Sequence, residues 1–177
     1  MPNFILNICS QDDDLMLNNA AIECCLVNSA IEISHLQNIV QKMQNVGRIV
    51  LLNGEGAAEL CVSVKADGII TDLSKSNNIK KDISETRQQI GNGVLGVISR
   101  NRRHEAMLVS ENEPDFLVFK VWNEGSMQTL ELAKWYANFF LLQMAIMPQD
   151  DEVDISEYNA DMLILTPRQY KIFVAKK

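Results

Sequence analysis

Seven polar or charged residues follow the ends of predicted β-strands, where they could act together on a bound molecule. They are Asn53, Glu55, Asp72, Arg100, Arg102, Lys120 and Arg168. The arginines and the lysine suit an anion such as phosphate, whereas the two carboxylates are the ligands that Mg²⁺ prefers. Side chains at the carboxyl ends of parallel strands meet at one face of a barrel. We therefore expect these residues to converge if the strands are parallel.

The segment of residues 47–72 indicates how such side chains are positioned. An apolar run at Arg48–Leu52 is followed by a turn, by a helical pattern over Ala57–Val64 and by the turn Asp67-Gly68, after which Ile69 begins a second β-rich run. A strand, a helix and another strand form a βαβ unit, which requires the two strands to be parallel.

The same alternation extends over the whole chain. Strands are predicted to start near residues 4, 22, 48, 69, 94, 115, 141 and 161, with further helices over Gln11–Ala21, Ser34–Val46, Asn78–Ile90, Asn101 to Ser110, Ser126–Phe140 and Gln149–Glu157. Eight such units predict a compact TIM (βα)8 barrel in a single domain, residues 1–177, with short helices and a truncated C-terminal unit. A doubly wound open sheet is the runner-up. Residues 166–177 fit either a short strand or a last helix.

Two helices carry detailed predictions. In Ser34–Val46, Leu36, Ile39, Val40 and Met43 form one apolar stripe, Ser34-x-x-Gln37 is a capping box and Gly47 is the left-handed C-terminal cap. In Ser126–Phe140, Ser126 is the predicted cap. The residues expected to face inward there are Met127, Leu130, Ala133, Ala137 and Phe140.

Composition excludes several classes of partner. The net charge of −7 argues against nucleic acid and anionic membranes, and no apolar run is long enough to span a bilayer. The N-terminus lacks a basic start typical of a signal peptide, so the cytoplasm is the predicted compartment. The cysteines Cys9, Cys24, Cys25 and Cys61 have no metal-site spacing and are interpreted as small buried hydrophobic residues, without disulfides.

The basic residues leave two interpretations open. Cations at a helix start oppose the helix dipole, so Arg102 and Arg103 could mark an anion bound near Arg100 and Arg102. Alternatively they form a solvated basic corner that pairs with Glu105 or Asp115. Lys120 lies in an apolar strand, where it either lines the barrel mouth or extends outward to solvent.

Two stretches resemble thiamine-phosphate synthases and TenI-type proteins. IVLLNGEGAAELCVSVKADGII is similar to the family segment in which a strand, Asn-Asp and a helix precede Ala-Asp-Gly-Val-His. GVISRNRRHEAMLVSENEPDFLVF resembles the next two units, and its Arg103-His104-x-Ala106-Met107 is typical of a divergent bacterial branch. The resemblance implies a TIM barrel with its site at the carboxyl ends of the strands.

The resemblance also implies which chemistry to look for. The family joins a pyrimidine pyrophosphate to a thiazole phosphate with the help of magnesium. Asn53 matches the family's asparagine, but Gly54 and Lys75 stand where the magnesium aspartates would be, and Arg100 replaces the TenI histidine. The Gly-rich phosphate loops have no counterpart.

The prediction is thus a diverged member of this superfamily, associated with thiamine biosynthesis. It would need no cofactor and would bind a small phosphorylated ligand or have another activity. One alternative is an active transferase with magnesium at positions such as Asp72 and Glu55. The other is a homodimeric interaction module.

Overall fold

Eight strands alternate with six helices along the described part of the chain. The computed structural model describes residues 3–9, 17, 19 and 21–175. The strands are β1 Asn3–Ile8, β2 Cys24–Asn28, β3 Ile49–Asn53, β4 Gly68–Asp72, β5 Val94–Ile98, β6 Phe116–Val121, β7 Gln143–Pro148 and β8 Met162–Leu165. The helices are α1 Ile33–Asn45, α2 Ala57–Val64, α3 Ile79–Ile90, α4 Arg103–Glu111, α5 Ser126–Phe139 and α6 Pro167–Ala175.

The strands close into one parallel barrel in sequence order. Each strand pairs in parallel with the next, and β1 returns to pair with β8. The predicted TIM-type barrel is therefore confirmed, and the open sheet is wrong. Closure leaves no strand edge to protect, which is one reason why eight short strands suffice.

Alternation along the strands separates two apolar cores. One set of side chains fills the barrel: Ile5, Leu26, Leu51, Ile70, Ile98, Phe116, Val118, Ala145, Met147 and Ile164. Their neighbours in the strands, such as Leu6, Val27 and Leu52, belong to a larger cluster between barrel and helices. Strands buried on both faces read as continuous apolar runs, as these do.

An aspartate precedes each of the strands β4, β6 and β8 and ties it to the strand before it. Oδ2 of Asp67 accepts from the backbone N–H of Val50 at 2.7 Å, and the Asp67 N–H donates back to the Val50 carbonyl at 2.9 Å. Asp115 makes the same two bonds with Leu95, at 2.7 and 2.9 Å, and Asp161 makes them with Met144, at 2.9 and 3.1 Å. In each case the partner is the second residue of the preceding strand, so the device recurs at the N-terminal side of the barrel.

Two glycines allow close approaches inside the wall of the barrel. A Cβ at Gly68 would lie 2.1 Å from the Val94 carbonyl oxygen, so that no side chain fits between β4 and β5. A Cβ at Gly96 would lie 2.5 Å from Cζ of Phe116, whose ring occupies that space. At Gly96 the barrel interior is therefore filled by the large side chain of Phe116, next to a residue that has no side chain.

Helix α1 is confirmed, but its N-terminal cap is not the predicted one. Leu36, Ile39, Val40 and Met43 are all buried, and Gly47 has a φ of +74° as expected of a left-handed C-terminal residue. The N-cap is Glu32, whose side chain accepts from the Ser34 N–H. The predicted capping box at Ser34 is wrong because the helix begins one residue earlier, at Ile33.

Helices α2 and α3 match their predicted ranges, whereas the predicted N-terminal caps of α4 and α5 are wrong. Asn101 does not cap α4, since its amide donates to the Lys120 carbonyl at 2.6 Å and the N-cap is Arg102. Gly125, not Ser126, is the N-cap of α5.

The buried face of α5 also differs from the predicted one. Met127 is 65% exposed and Ala137 is exposed, so that both predictions were wrong. The buried residues of this helix are Thr129, Leu130, Leu132, Ala133 and Tyr136. Aromatic contacts explain the shift, since Tyr136 packs edge-on against Phe119 of β6 and stacks on Phe140.

The predicted helix over Gln149–Glu157 is also wrong. Residues 149–161 connect β7 to β8 through turns alone, stabilised by local bonds such as that from Ser156 N–H to Asp154 Oδ1 at 3.0 Å. The ambiguous tail is helical, as α6. The helix predicted over Gln11–Ala21 lies largely outside the described residues. Within the described ranges no helix is long and apolar enough to cross a membrane.

The cysteines are buried to different degrees. Cys25 and Cys61 are buried, as predicted, Cys24 is half-buried and Cys9 is exposed, which corrects that prediction for Cys9. None of the four forms a disulfide bond. Burial raises the pKa of the Cys24 and Cys61 thiols above the ordinary value, so both remain protonated at neutral pH.

Candidate functional site

The carboxyl ends of five strands place a polar layer on top of the apolar barrel interior. Successive side chains of a strand alternate between its faces, so a residue two positions beyond an interior residue also faces inward. This places five polar residues in one layer at the barrel mouth: Asn7, Asn28, Asn53, Asp72 and Lys120. Asn28 and Asn53 are direct partners in the β2–β3 register.

An ion pair crosses this layer. Nζ of Lys120 on β6 lies 2.6 Å from Oδ2 of Asp72 at the end of β4. Asp72 Oδ1 also accepts from the Ser74 N–H at 3.0 Å. Burial by itself raises the pKa of Asp72, but the hydrogen bonds from Lys120 and Ser74 outweigh it and lower that pKa below its ordinary range. Of the two sequence interpretations of Lys120, the one in which it lines the mouth is correct.

Asn53 contributes an open acceptor to the same layer. Its Oδ1 is buried and has no hydrogen-bond partner within the described part of the chain. A buried amide oxygen without a partner costs free energy, which a bound donor would recover. Its amide group combines a donor and an acceptor, so it could bind either kind of ligand atom.

The loop after Asn53 is shaped by Gly54. Gly54 has a φ of +103°, and a Cβ there would lie 2.5 Å from Oγ of Ser29. That hydroxyl donates to the Glu55 carbonyl at 2.8 Å and so fixes the β3–α2 loop to the β2 loop. Glu55 itself is exposed at the rim, outside the polar layer.

Arg100 is neutralised at the start of α4. Its Nε lies 2.7 Å from Oε1 of Glu105, and its backbone N–H donates to Oε2 of the same carboxylate at 3.0 Å. Glu105 is only 5% exposed, which means that Arg100 compensates a buried charge. The pair with Glu105 that was predicted for the basic corner of Arg102 and Arg103 is therefore made by Arg100, and Asp115 pairs with Arg87. Arg103, next to this corner, lies over the Trp135 ring at 5.1 Å.

The two other predicted arginines lie at the rim. Arg102 is the exposed N-cap residue of α4. Arg168, in the first turn of α6, pairs through Nε with Oδ2 of Asp151 at 2.9 Å. The structure thus brings Asn53, Asp72 and Lys120 into one layer and leaves Glu55, Arg100, Arg102 and Arg168 around it.

Asn7 and Asn28 were missed by sequence reasoning. Asn7 is a polar residue only 8% exposed, on a strand that is otherwise apolar. A signal was present, because the first three strands each carry an asparagine two residues after an interior apolar position. Finding it required knowing which of the two strand faces is the interior, and an apolar run does not show that.

The site does not fit a magnesium ion of the kind that the family resemblance implies. Gly54 has no carboxylate and a φ of +103° that disfavours any side chain, and Asp72 is occupied by Lys120 and Ser74. Among the described residues no group of three His, Cys, Asp or Glu side chains is arranged to hold a metal ion.

The solved structures with similar folds include a thiamine phosphate pyrophosphorylase and a citrate synthase. Thiamine phosphate pyrophosphorylase from Pyrococcus furiosus matches with a TM-score of 0.70 and 9% identity, over 98% of this chain and 95% of that chain. The citrate synthase SbnG matches with a TM-score of 0.62 and 14% identity, and a variant of it with 0.67 and 13%, each over 99% of this chain and 90% of that chain. No protein-family model and no curated protein matches the sequence.

These likenesses agree with the sequence resemblance at the level of the fold. At such low identities they show a shared barrel and nothing about the reaction. The function is therefore inferred from the polar layer at the barrel mouth.

Proposed function

We propose that this protein is a thiamine-phosphate-synthase-like barrel that binds a small phosphorylated molecule at its mouth and does not catalyse magnesium-dependent pyrophosphate transfer. The observation that carries the proposal is the Lys120–Asp72 pair within the polar layer at the strand ends. In barrels of this kind the site lies at that face.

Lys120 is the proposed contact for the phosphate. It is the one basic residue within the eight strands, and its side chain is 24% exposed, so that it is reachable from the mouth but partly shielded from solvent. A charge-assisted hydrogen bond to an anion is stronger in such a setting than at the surface. The three asparagines would hold the uncharged part of the ligand through their amide groups.

Two features support binding without pyrophosphate transfer. A departing pyrophosphate needs concentrated positive charge, and Lys120, Arg100 and Arg168 each already face a carboxylate within 2.9 Å. Position 54, which directly follows Asn53, also carries no carboxylate, and its φ of +103° favours glycine there. The alternative of an active transferase would need Asp72 to release Lys120 and to join Glu55 on a metal ion.

Binding can be tested by titrating inorganic phosphate and the thiazole phosphate into the protein while recording amide chemical shifts. We expect shifts at the ends of β3, β4 and β6. Lys120→Met should weaken binding about tenfold, the equivalent of one charged hydrogen bond, and Lys120→Arg should retain part of it. Lys80→Met, which removes an exposed lysine on α3, is the matched control.

Asp72→Asn gives an independent test of the same site. The substitution removes the carboxylate that competes for Lys120 while keeping its shape, so phosphate should bind several-fold more tightly. Unchanged affinity in both the Lys120→Met and Asp72→Asn variants would exclude the mouth as the phosphate site.

Catalysis is tested separately. The protein is incubated with the pyrimidine pyrophosphate, the thiazole phosphate and Mg²⁺, and thiamine phosphate is measured. We expect none above the level without protein. Its formation, abolished by Asp72→Asn, would establish the transferase alternative.

A homodimeric interaction module is the second candidate, because the end of α5 exposes large apolar side chains. Phe139 is 70% exposed, and Leu141 just beyond the helix is fully exposed. Exposed apolar groups of this size favour contact with another protein surface. Sedimentation equilibrium of the wild type and of Phe139→Ser should distinguish the cases: a monomer in both excludes a dimer through this face.

A further inference from the structure

The polar layer at the barrel mouth consists of two levels. In a barrel of this type the inward-facing side chains of alternate strands lie at one height, because the strands are tilted and staggered. Asp72 on β4 is paired through Ile98 of β5 with Val118 of β6. The residue that it contacts is nevertheless Lys120, two positions beyond Val118. Inward-facing residues of alternate strands therefore share a height when they are offset by two positions in the register.

Asn7 and Asn53 are related by the same offset. Asn7 on β1 is paired through Leu26 of β2 with Leu51 of β3. Asn53 lies two positions beyond Leu51, so the two asparagines share a height. The side chains that complete their level, on β5 and β7, are apolar: Ile98 and Met147. This lower level is therefore polar over β1 and β3, apolar over β5 and β7, and without charge.

The lower level lies about one strand residue, roughly 3 Å, beneath the level of the ion pair. Asn7 is only 8% exposed, and Oδ1 of Asn53 is buried without a hydrogen-bond partner among the described residues. A donor from a ligand would satisfy this oxygen, but a charged donor would find no carboxylate at the same level. The lower level therefore suits a neutral donor such as a hydroxyl group.

We propose that the small phosphorylated ligand is a polyol phosphate, with its phosphate at Lys120 and its hydroxyl groups on Asn7 and Asn53. This inference rests on the proposed function and adds the chemical class of the ligand. A hydroxyl group both donates and accepts, so it can satisfy the Asn53 oxygen as well as the amide N–H groups. The carbon chain would lie against Ile98 and Met147. A ligand with acceptors alone, such as a thiazole ring, would leave the Asn53 oxygen unpaired.

Glycerol 3-phosphate and propyl phosphate test this assignment, because they share a carbon chain and a phosphate and differ only in their hydroxyl groups. Each is titrated into the intact protein by isothermal calorimetry, and amide chemical shifts locate the site. We expect glycerol 3-phosphate to bind about tenfold more tightly than propyl phosphate, because its hydroxyl groups add hydrogen bonds. Its additional shifts should lie at the ends of β1 and β3.

Two variants separate the hydroxyl contacts from the phosphate contact. Asn53→Leu has a similar size but no hydrogen-bonding group, so it should weaken glycerol 3-phosphate and bring the affinity ratio of the two ligands close to one. Lys120→Met should weaken both ligands by the same factor and so preserve the ratio. Asn45→Leu, at the exposed C-terminal end of α1, is the matched control and should leave the ratio unchanged.

The results distinguish this inference from the proposed function. Equal affinities of the wild type for the two ligands, or an unchanged ratio in a folded Asn53→Leu variant, would overturn the polyol assignment and leave the phosphate site intact. If propyl phosphate, glycerol 3-phosphate and inorganic phosphate all fail to bind at millimolar concentration, the proposed function and this inference are both wrong. If circular dichroism shows that Asn53→Leu does not fold, Asn7→Leu and the comparison of the two ligands on the wild type decide.

Discussion

Lys120 and Asp72 meet across the barrel mouth although β5 lies between their strands. Nζ of the lysine is 2.6 Å from Oδ2 of the aspartate, with the side chains 24% and 40% exposed. Both residues face inward, so the pair links β4 to β6 over the end of β5. A ligand at the mouth would have to bind beside this pair or separate it.

The acid dependence of stability should report on this pair. Asp72 has a lowered pKa in the folded protein, so its stabilising contribution is present above the ordinary value of 3.8 and is lost as the pH falls through the lower folded value. Urea unfolding of the wild type and Asp72→Asn, measured from neutral pH to about pH 2.5, should show this loss in the wild type alone. At neutral pH we expect a coupling of about 1 kcal/mol or less between Asp72→Asn and Lys120→Met, because both groups are partly exposed.

Gly96 should resist even the smallest side chain. A Cβ there would approach Cζ of Phe116 to 2.5 Å and Cγ1 of Ile70 to 3.1 Å. We expect Gly96→Ala to lower the free energy of unfolding by about 1–3 kcal/mol through overpacking. The change is measured by denaturant unfolding. Phe116→Leu should remove part of the cost in the double variant, and strictly additive effects would contradict steric conflict between these residues.

The aspartates before β4, β6 and β8 should be more important for stability than their charge suggests. In Asp115→Ala the Leu95 N–H loses its acceptor, and we expect a loss of about 1–3 kcal/mol. Asp115→Asn keeps an acceptor and should be milder. Arg87→Met removes the ion pair at 2.9 Å between partly exposed groups together with the hydrogen bond from Arg87 Nη1 to the Gly93 carbonyl at 2.6 Å, and it should still have the smaller effect. If Arg87→Met equals Asp115→Ala in thermal and chemical unfolding, the contacts of Arg87 and not the bond to the Leu95 N–H are responsible.

Alkaline pH should destabilise the connection of residues 149–161 between β7 and β8. Burial raises the pKa of Tyr158 from 10.0 to about 12. A raised pKa means that the contribution is fully present below 10.0 and is lost as the pH rises to about 12, amounting to at most about 3 kcal/mol. Tyr158→Phe cannot ionise, so its stability should fall less over this interval. The comparison requires unfolding curves for both proteins, and parallel pH profiles would contradict a role for Tyr158.

Sequence patterns predicted the structure correctly where all residues of the pattern lie within one helix or strand. The stripe of α1 and the ranges of α2 and α3 follow from the spacing of apolar residues and, for α1 and α3, from the glycines Gly47 and Gly91 after the helices. The sequence does contain a capping box, but it lies at Thr166 and Gln169 and not at the predicted Ser34. Thr166 and Gln169 exchange the two bonds of such a box at 3.0 and 3.2 Å, at the start of the helix that remained ambiguous.

Signals that depend on a partner element were misread. The stripe predicted for α5 is displaced because Tyr136 packs against Phe119 of a neighbouring strand. The acidic run after β7 resembles a helix start, yet Asp150 and Asp151 bond to Asn123 and Arg168 instead. Neither partner is close in sequence.

The sequence by itself determined the barrel: the order of the strands, their parallel connections and the end of the barrel at which the polar residues lie all follow from short-range patterns. The tertiary structure decided the site. Barrel closure and register decide which strand face is interior. They also bring Lys120 to Asp72 and Arg100 to Glu105. The physical reason is that periodicity is a property of neighbours along the chain, whereas an ion pair or a cavity depends on distances between residues that only the closed barrel brings together.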